Sequence, residues 1–193
     1  MILLVFPIRD KEELDKATKS IELVIPTLRQ TSSTLFLVEN QDIYVEARNK
    51  LQDIQADMNV EFDTRYLVEY VNENTWVDKM YQVMKRTADT YVYIWNRQEL
   101  KENSIKNLME IYLDHRHAGL VQTKTDEWLG KANKYDNESI RLGKRNLIDY
   151  SSKDGGFMTK MDHLFDVKLE ANNLKKFGLD LRELGYQNFM TKN

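Results

Sequence analysis

The sequence predicts a single α/β domain with a mostly parallel central sheet and helices on both faces. Short apolar runs alternate with longer segments of helical period along the 193 residues, as they do in βαβ units. Two of the runs, at 35–38 and 91–95, are continuous rather than alternating, which is typical of strands covered on both faces. The second run ends in Trp95, which we therefore expect to be packed. No Ser-, Gly- or Pro-rich linker divides the chain, so we expect one domain over residues 1–193.

Five strands and four intervening helices are predicted in the first two thirds of the chain. The strands are assigned to residues 2–7, 34–38, 65–70, 90–95 and 119–123. Pro26 is expected to kink or end the first helix, and Thr75 with Asp78 predicts an N-terminal cap for the third. The four apolar stripes at helical spacing consist of Leu14, Ala17, Ile21, Val24 and Leu28; of Leu51, Ile54 and Met58; of Val77, Met80, Tyr81, Met84 and Ala88; and of Ile105, Leu108, Met109 and Tyr112.

The pattern weakens after residue 125. Residues 127–154 are polar and interrupted, and the Ser, Lys, Asp and Gly residues at 151–156 predict a mobile loop. A helix that uses Phe157, Met161 and Leu164 is expected next. The last predicted helix begins at Leu174, and Gly185 is the signal that stops it.

Composition and charge exclude several classes of protein. The formal net charge is -3 and both signs are mixed along the chain, so there is no clustered Lys and Arg of the kind that binds nucleic acid. No apolar run approaches the ~20 residues of a transmembrane helix. The apolar start at residues 1–6 lacks a basic leader and is interpreted as a strand, not a signal peptide. The absence of cysteine excludes disulfides and cysteine nucleophiles, and we expect a cytoplasmic protein.

The common sequence motifs of nucleotide binding and catalysis are missing. There is no G-x-G-x-x-G and no G-K-[ST] sequence, which argues against a dinucleotide-binding or P-loop domain. The three histidines offer neither metal-ligand spacing nor a Ser/His/Asp set. Charged runs such as Lys11-Glu12-Glu13 are interpreted as solvated helix faces.

Polar stretches follow three of the predicted strands, at residues 7–10, 38–42 and 95–99. The carboxyl ends of parallel strands meet at one edge of an open sheet, where ligands bind, so we expect the stretches to share a cleft. Each stretch taken alone is equally explained as an ordinary solvated loop. The candidate ligand-binding residues are Pro7, Arg9, Asp10, Glu39, Asn40, Asn96, Arg97, Gln98 and Glu99.

The order of these pieces resembles that of family 2 glycosyltransferases with the GT-A fold. Pro7 and the later Ser20-Ile21 pair are similar to the family's first loop and helix. Val38-Glu39-Asn40-Gln41-Asp42 resembles the element that holds the base and ribose of a nucleotide sugar. The segment 91–98 is similar to the family's Tyr-x-x-x-x-Asp-x-Asp strand, and Phe165-Asp166 with residues 181–186 resembles the acceptor-side segment. The resemblance covers residues 1–186 and implies an acceptor-side portion at 119–193.

The chain departs from the family at the metal site. The resemblance places the two metal-binding aspartates on Asn96 and Gln98, with Arg97 between them. An amide brings no negative charge to Mn²⁺ or Mg²⁺, so a divalent cofactor is disfavoured and no metal ligand is assigned. Glu99 is the carboxylate one residue further on. Arg97 can itself neutralise a diphosphate, because guanidinium groups match phosphate oxygens.

The second departure is at the catalytic base, which the resemblance places near Asn172-Asn173. An amide cannot take a proton from an acceptor hydroxyl, so Glu170 and Asp180 become the candidate bases.

Two functions of different classes remain open at the sequence level. The first is a glycosyltransferase-like protein that binds a nucleotide sugar and transfers the sugar to a carbohydrate or protein acceptor. Glu39 and Asp10 would then hold the nucleoside, and residues 96–99 the diphosphate. The second is a non-catalytic module derived from such an enzyme, with a protein partner or a homo-oligomeric state. The acids on the nucleoside side favour the first, and the amides at the metal and base positions favour the second.

Overall fold

A computed structural model of the chain describes residues 1–28, 32–57, 65–87, 89–124, 145–148 and 156–191. The strands are β1 (Ile2–Ile8), β2 (Ser32–Val38), β3 (Arg65–Tyr70), β4 (Tyr91–Ile94), β5 (Ala118–Gln122), β6 (Arg145–Ile148), β7 (Phe157–Lys160) and β8 (Gln187–Thr191). The α-helices are α1 (Lys11–Val24), α2 (Tyr44–Asp57), α3 (Trp76–Met84), α4 (Ser104–Asp114), α5 (Met161–Asp166) and α6 (Leu174–Glu183). Short 3-10 turns at Ile25–Thr27 and Gln41–Ile43 follow α1 and precede α2.

The strands form one mixed sheet in the order β3-β2-β1-β4-β7-β5-β8-β6. The pairs β1–β2, β1–β4, β2–β3 and β5–β8 are parallel. Strand β7 is antiparallel to both β4 and β5, and β6 is antiparallel to β8. Because β1, β2 and β4 run in the same direction, the segments that follow them leave from one edge of the sheet. We call this the carboxyl edge.

The helices cover both faces of the sheet, as continuous apolar strands require. Alternate residues of β1 point to opposite sides, so Leu4 and Phe6 belong to one core cluster and Leu3 and Val5 to the other. The buried apolar residues of α1, α2 and α4 pack in the first cluster. The buried apolar side chains of α3, α5 and α6 pack in the second. The predicted α/β class with two helical layers is therefore confirmed.

Pro7 is accommodated near the end of β1 because it lies beyond the last residue of that strand that pairs with β4. The final pair of that register is Val5 with Ile94, and the Val5 carbonyl accepts from Trp95 N at 2.9 Å. The backbone groups of residues two apart in a strand face the same neighbouring strand. The nitrogen of Pro7, which carries no hydrogen, therefore faces the same side as Val5, just past the last residue of β4.

The helix boundaries confirm some local predictions and correct others. Helix α1 ends at Val24, directly before the turn that contains Pro26, as predicted. Thr75 precedes α3 but its side chain does not cap the helix, because its hydroxyl donates to the Asn72 carbonyl at 2.8 Å. The prediction that Thr75 and Asp78 cap this helix was therefore wrong. The last helix ends at Glu183, and Gly185 follows with a φ of 91°.

The second half of the sheet was predicted less well. Phe157 lies in strand β7 and not in the predicted helix, which begins at Met161. Strands β6 and β8 were not predicted. The predicted loop at 151–156 lies outside the described residues except for Gly156, which is buried. Within the described part of the chain, no helix is long and apolar enough to cross a membrane.

Candidate functional site

Three of the predicted ligand-binding side chains converge at the carboxyl edge. Arg9 follows β1, Glu39 follows β2 and Arg97 lies two residues after Trp95, at the end of β4. The sheet hydrogen bonds continue into these segments, since Glu39 N donates to the Ile8 carbonyl at 2.8 Å. The predicted convergence of the β1, β2 and β4 ends is therefore present in the fold.

A buried carboxylate connects the two arginines. Glu13 on α1 is 6% exposed, and its Oε1 accepts from Arg9 Nη2 at 2.6 Å and from Arg9 Nε at 3.1 Å. Arg97 Nε lies 3.0 Å from the same oxygen, as an ion pair whose N–H is poorly aligned for a hydrogen bond. Glu13 Oε2 accepts from the backbone N of Arg9 at 2.8 Å. We call Arg9, Glu13, Glu39 and Arg97 the strand-end cluster.

The interpretation of Glu13 as a solvated residue was wrong. Asp10 is the N-cap of α1, and its side chain accepts from Glu13 N at 2.9 Å. The carboxylate of Glu13 in turn reaches back over the first turn to the backbone of Arg9. An acid three residues after a capping residue is the sequence signature of such reciprocal capping. The Asp10–Glu13 spacing was therefore a signal for this contact, and it was overlooked within the charged run at 11–13.

Arg97 is held in a backbone conformation that sequence patterns do not predict. Its φ is 72°, a left-handed value that is uncommon outside glycine, asparagine and aspartate. The indole Nε1 of Trp95 donates to the Gln98 carbonyl at 2.6 Å, which closes the turn around Arg97. A strained residue that the surroundings hold in place is a feature that clusters at functional sites.

Glu39 is half-buried beside the two arginines. Burial raises the pKa of its carboxyl above the ordinary value of 4.5, and the positive charges of Arg97 and Arg9 oppose that rise. Glu13 and Glu73 add to it by repulsion. The ionised form of Glu39 is therefore less stable in the folded free protein than in water, and a ligand that donates hydrogen bonds to it would relieve that cost.

We expect Glu39→Gln to stabilise the free protein slightly at pH 7. The folded pKa is raised, so Glu39 contributes its full stability below its unfolded pKa and loses it as pH rises through the folded value. The gain in melting temperature of Glu39→Gln over the natural protein should therefore shrink as pH falls towards 4. Melting curves of both proteins between pH 4 and 7 test this. If Glu39→Gln melts lower than the natural protein at pH 7 but not at pH 4, the attraction of Arg97 and Arg9 outweighs the effect of burial on the Glu39 carboxylate, and the prediction is wrong.

The other candidates at this edge have different surroundings. Pro7 is buried within β1. The Asn40 side chain accepts from Asp42 N at 2.9 Å and caps the turn before α2. Gln98 is exposed, and Glu99 is exposed with an ion pair to Lys19 at 3.4 Å. Their roles as ligand contacts stay predictions.

Asn96 lies near a close approach of two strands. A Cβ added to Gly156 would lie 3.2 Å from Asn96 Oδ1 and would overlap the hydroxyl of Tyr93. The Tyr93 ring is fully buried, and its hydroxyl has no hydrogen-bond partner among the described residues. Burial also raises the pKa of this phenol. Gly156 therefore allows β4 and the start of β7 to pack closely beside the strand-end cluster.

The two candidate bases lie elsewhere in the second half of the chain. Glu170 and Asp180 line one cavity of about 550 Å³. All of its lining residues lie between Asp166 and Leu184, at the end of α5, in the segment after it, on α6 and at the residue that follows α6. Glu170 forms an ion pair with Lys176 at 3.2 Å. The structure thus brings the two acids together, in a cavity that the strand-end cluster does not line.

No protein-family model and no curated protein sequence matches this chain. Solved structures share its fold. S. aureus TarS is 10% identical with a TM-score of 0.59, over 98% of this chain and 34% of TarS. TarS 1–349 in complex with UDP is 10% identical with a TM-score of 0.53, over 99% of this chain and 57% of that one.

The third solved structure is that of CMP:2-keto-3-deoxy-manno-octonic acid synthetase in complex with CTP. It is 8% identical with a TM-score of 0.52, over 98% of this chain and 88% of the synthetase. The chain thus has a GT-A-like α/β fold and spans about a third to about nine tenths of these proteins.

Proposed function

We propose that this protein binds a nucleotide sugar at the carboxyl edge and transfers the sugar to a carbohydrate or protein acceptor. The observation that supports it most is the pair of arginines that Glu13 holds between the ends of β1 and β4. Open α/β sheets bind ligands at this edge, and guanidinium groups form charge-assisted hydrogen bonds with phosphate oxygens. The side chains of Arg9 and Arg97 are 52% and 36% exposed, so both can reach a ligand.

The other residues of this edge suit the nucleoside part of such a ligand. Glu39 is half-buried with a raised pKa, and hydrogen bonds from ribose or base donors would stabilise its carboxylate. Asn40 directly follows Glu39, and Asp10 follows Arg9; each has a side-chain oxygen that already accepts one backbone N–H and can accept further hydrogen bonds. The solved structures with the same fold include complexes with UDP and CTP, which supports a nucleotide as the kind of ligand.

Transfer would require a base near the acceptor. In that step the bond between the sugar and the diphosphate breaks, a bond forms from the sugar to the acceptor oxygen, and the hydroxyl proton passes to a carboxylate. Glu170 and Asp180 are the candidates, with residues 119–193 forming the acceptor side. Both acids line the 550 Å³ cavity, where an acceptor group has room.

The nucleotide proposal is tested by a ligand panel. Nucleoside diphosphates and nucleotide sugars should raise the melting temperature of the natural protein, because a ligand that binds only the folded state stabilises it by mass action. Calorimetry should then show that Arg97→Ala weakens binding by about 1.5–3 kcal/mol, the value of a hydrogen bond to a charged group. The matched control is Arg86→Ala, an exposed arginine after α3. If no nucleotide binds at millimolar concentration, the proposal is wrong.

The second candidate function is a non-catalytic module that binds nucleotide or a protein partner. The ion pairs within the strand-end cluster and the amides at Asn96 and Gln98 favour it, since neither arrangement supplies the acids of an active transferase. Release of nucleoside diphosphate from a bound nucleotide sugar separates the two functions. Binding without release, in the presence of a broad set of sugar acceptors, would favour the module.

A further inference from the structure

The side chains at the end of β4 do not suit a divalent metal ion. Asn96 and Gln98 provide neutral amides, and Arg97 between them carries a positive charge that repels a cation. Glu99, the next carboxylate, is exposed and paired with Lys19. Among the residues that the structure describes, no three His, Asp or Glu side chains lie close enough together to hold a metal. A diphosphate at this edge must therefore have another source of positive charge.

The strand-end cluster contains that charge in a fixed arrangement. Both Nε atoms contact the same oxygen of Glu13, so the guanidinium groups of Arg9 and Arg97 are neighbours. Two cations this close would repel each other without the carboxylate between them. Among the described residues, the ion pair of Arg97 runs through its Nε and leaves the Nη groups without a hydrogen bond or ion pair. Its backbone is fixed by the turn that Trp95 closes.

We infer that Glu13 positions Arg9 and Arg97 as a two-guanidinium clamp for a diphosphate, which replaces the divalent ion and makes nucleotide binding independent of metal. The inference rests on the proposed function, because it concerns the same site. Glu13 is a positioning residue in this account, since it acts through the two arginines and is too buried to contact a ligand widely.

The preference for diphosphate over phosphate shows whether Glu13 positions the two arginines or only changes the charge of the site. Removing the negative charge of Glu13 makes the site more positive, which favours every anion by Coulomb attraction. If Glu13 sets the spacing of the two arginines, removing its charge has a second effect: the site no longer prefers a diphosphate to a single phosphate. The ratio of the two affinities is therefore the quantity to measure, rather than either affinity alone.

The experiment titrates inorganic pyrophosphate and inorganic phosphate into the natural protein in EDTA. Pyrophosphate should bind more tightly than phosphate, and Arg97→Ala should lower its affinity about tenfold to a hundredfold. Glu13→Gln should bring the affinity ratio of the two anions close to one. Arg97→Lys, which keeps the charge and loses the planar fork, should lower the ratio as well and serves where Glu13→Gln folds poorly. Arg86→Ala should change neither affinity.

A parallel titration with nucleoside diphosphates, in EDTA and in excess Mn²⁺, separates the two proposals. Equal affinity in both buffers supports the clamp. Binding that occurs only with Mn²⁺ overturns the clamp and leaves the proposed function standing. An unchanged affinity ratio in both Glu13→Gln and Arg97→Lys also overturns the clamp. If neither pyrophosphate nor any nucleoside diphosphate binds in either buffer, both proposals are wrong.

Discussion

Replacing Gly156 with alanine is expected to destabilise the protein by about 3 kcal/mol, at the upper end of the range for overpacked sites. The new Cβ would overlap the Tyr93 hydroxyl and lie 2.9 Å from the ring Cζ. The ring is fully buried, and Gly156 is tied in place because its carbonyl accepts from Thr123 N at 2.9 Å. Neither side can move without disturbing the core. Chemical denaturation of the variant measures the loss.

The Tyr93→Phe change is the matched partner for this test. It removes a buried hydroxyl that finds no hydrogen-bond partner in the described part of the chain, so by itself it should be neutral or slightly stabilising. In the Gly156→Ala background it should restore part of the lost stability, and the double-mutant cycle should show a coupling of about 1 kcal/mol or more. Additive effects of the two changes would contradict the close approach of Gly156 and Tyr93.

Replacing Trp95 with alanine is expected to cost about 3–5 kcal/mol, as for other buried aromatic residues. The side chain is 3% exposed, and its ring centroid lies 5.4 Å from that of Phe6. The packing that was predicted for Trp95 from the run at 91–95 is confirmed. For a domain of this size the loss corresponds to a fall in melting temperature of about 2–4 °C for each kcal/mol.

Trp95→Phe separates packing from the turn that holds Arg97. It keeps an aromatic ring and removes the indole N–H that donates to the Gln98 carbonyl. We expect it to cost less stability than Trp95→Ala. It should still weaken pyrophosphate binding, because the turn around Arg97 loses the hydrogen bond that closes it. A melting temperature of Trp95→Ala that equals that of the natural protein would show that the ring is not part of the core.

The first half of the fold could be predicted because its strands are short apolar runs between clear helical stripes. The second half could not. Strand β7 has only four residues and contains Thr159 and Lys160, so its pattern merges with that of the helix that begins at Met161. Strand β8 begins with Gln187 and Asn188, which give no strand signal. These strands are specified by pairing with distant neighbours, and such long-range pairing leaves little trace in local sequence.

The candidate site was predicted in position and not in its internal contacts. Arg9, Glu39 and Arg97 were expected at one edge because parallel strands bring their carboxyl ends together. The partner that joins the arginines was missed, because Glu13 sits in a charged run whose helical position alone does not show that it is buried. The left-handed backbone of Arg97 was also beyond prediction, since it depends on the Trp95 side chain and not on local preference.

The most direct test of the nucleotide site follows the arginine Nε–H signals by NMR, assigned with Arg9→Lys and Arg97→Lys. On addition of a nucleoside diphosphate that binds by calorimetry, the account predicts shifts of the Arg9 and Arg97 signals. The signals of Arg86 and Arg116, which are exposed and outside the cluster, should not move. Binding that leaves both Arg9 and Arg97 unshifted would place the nucleotide elsewhere and contradict the account.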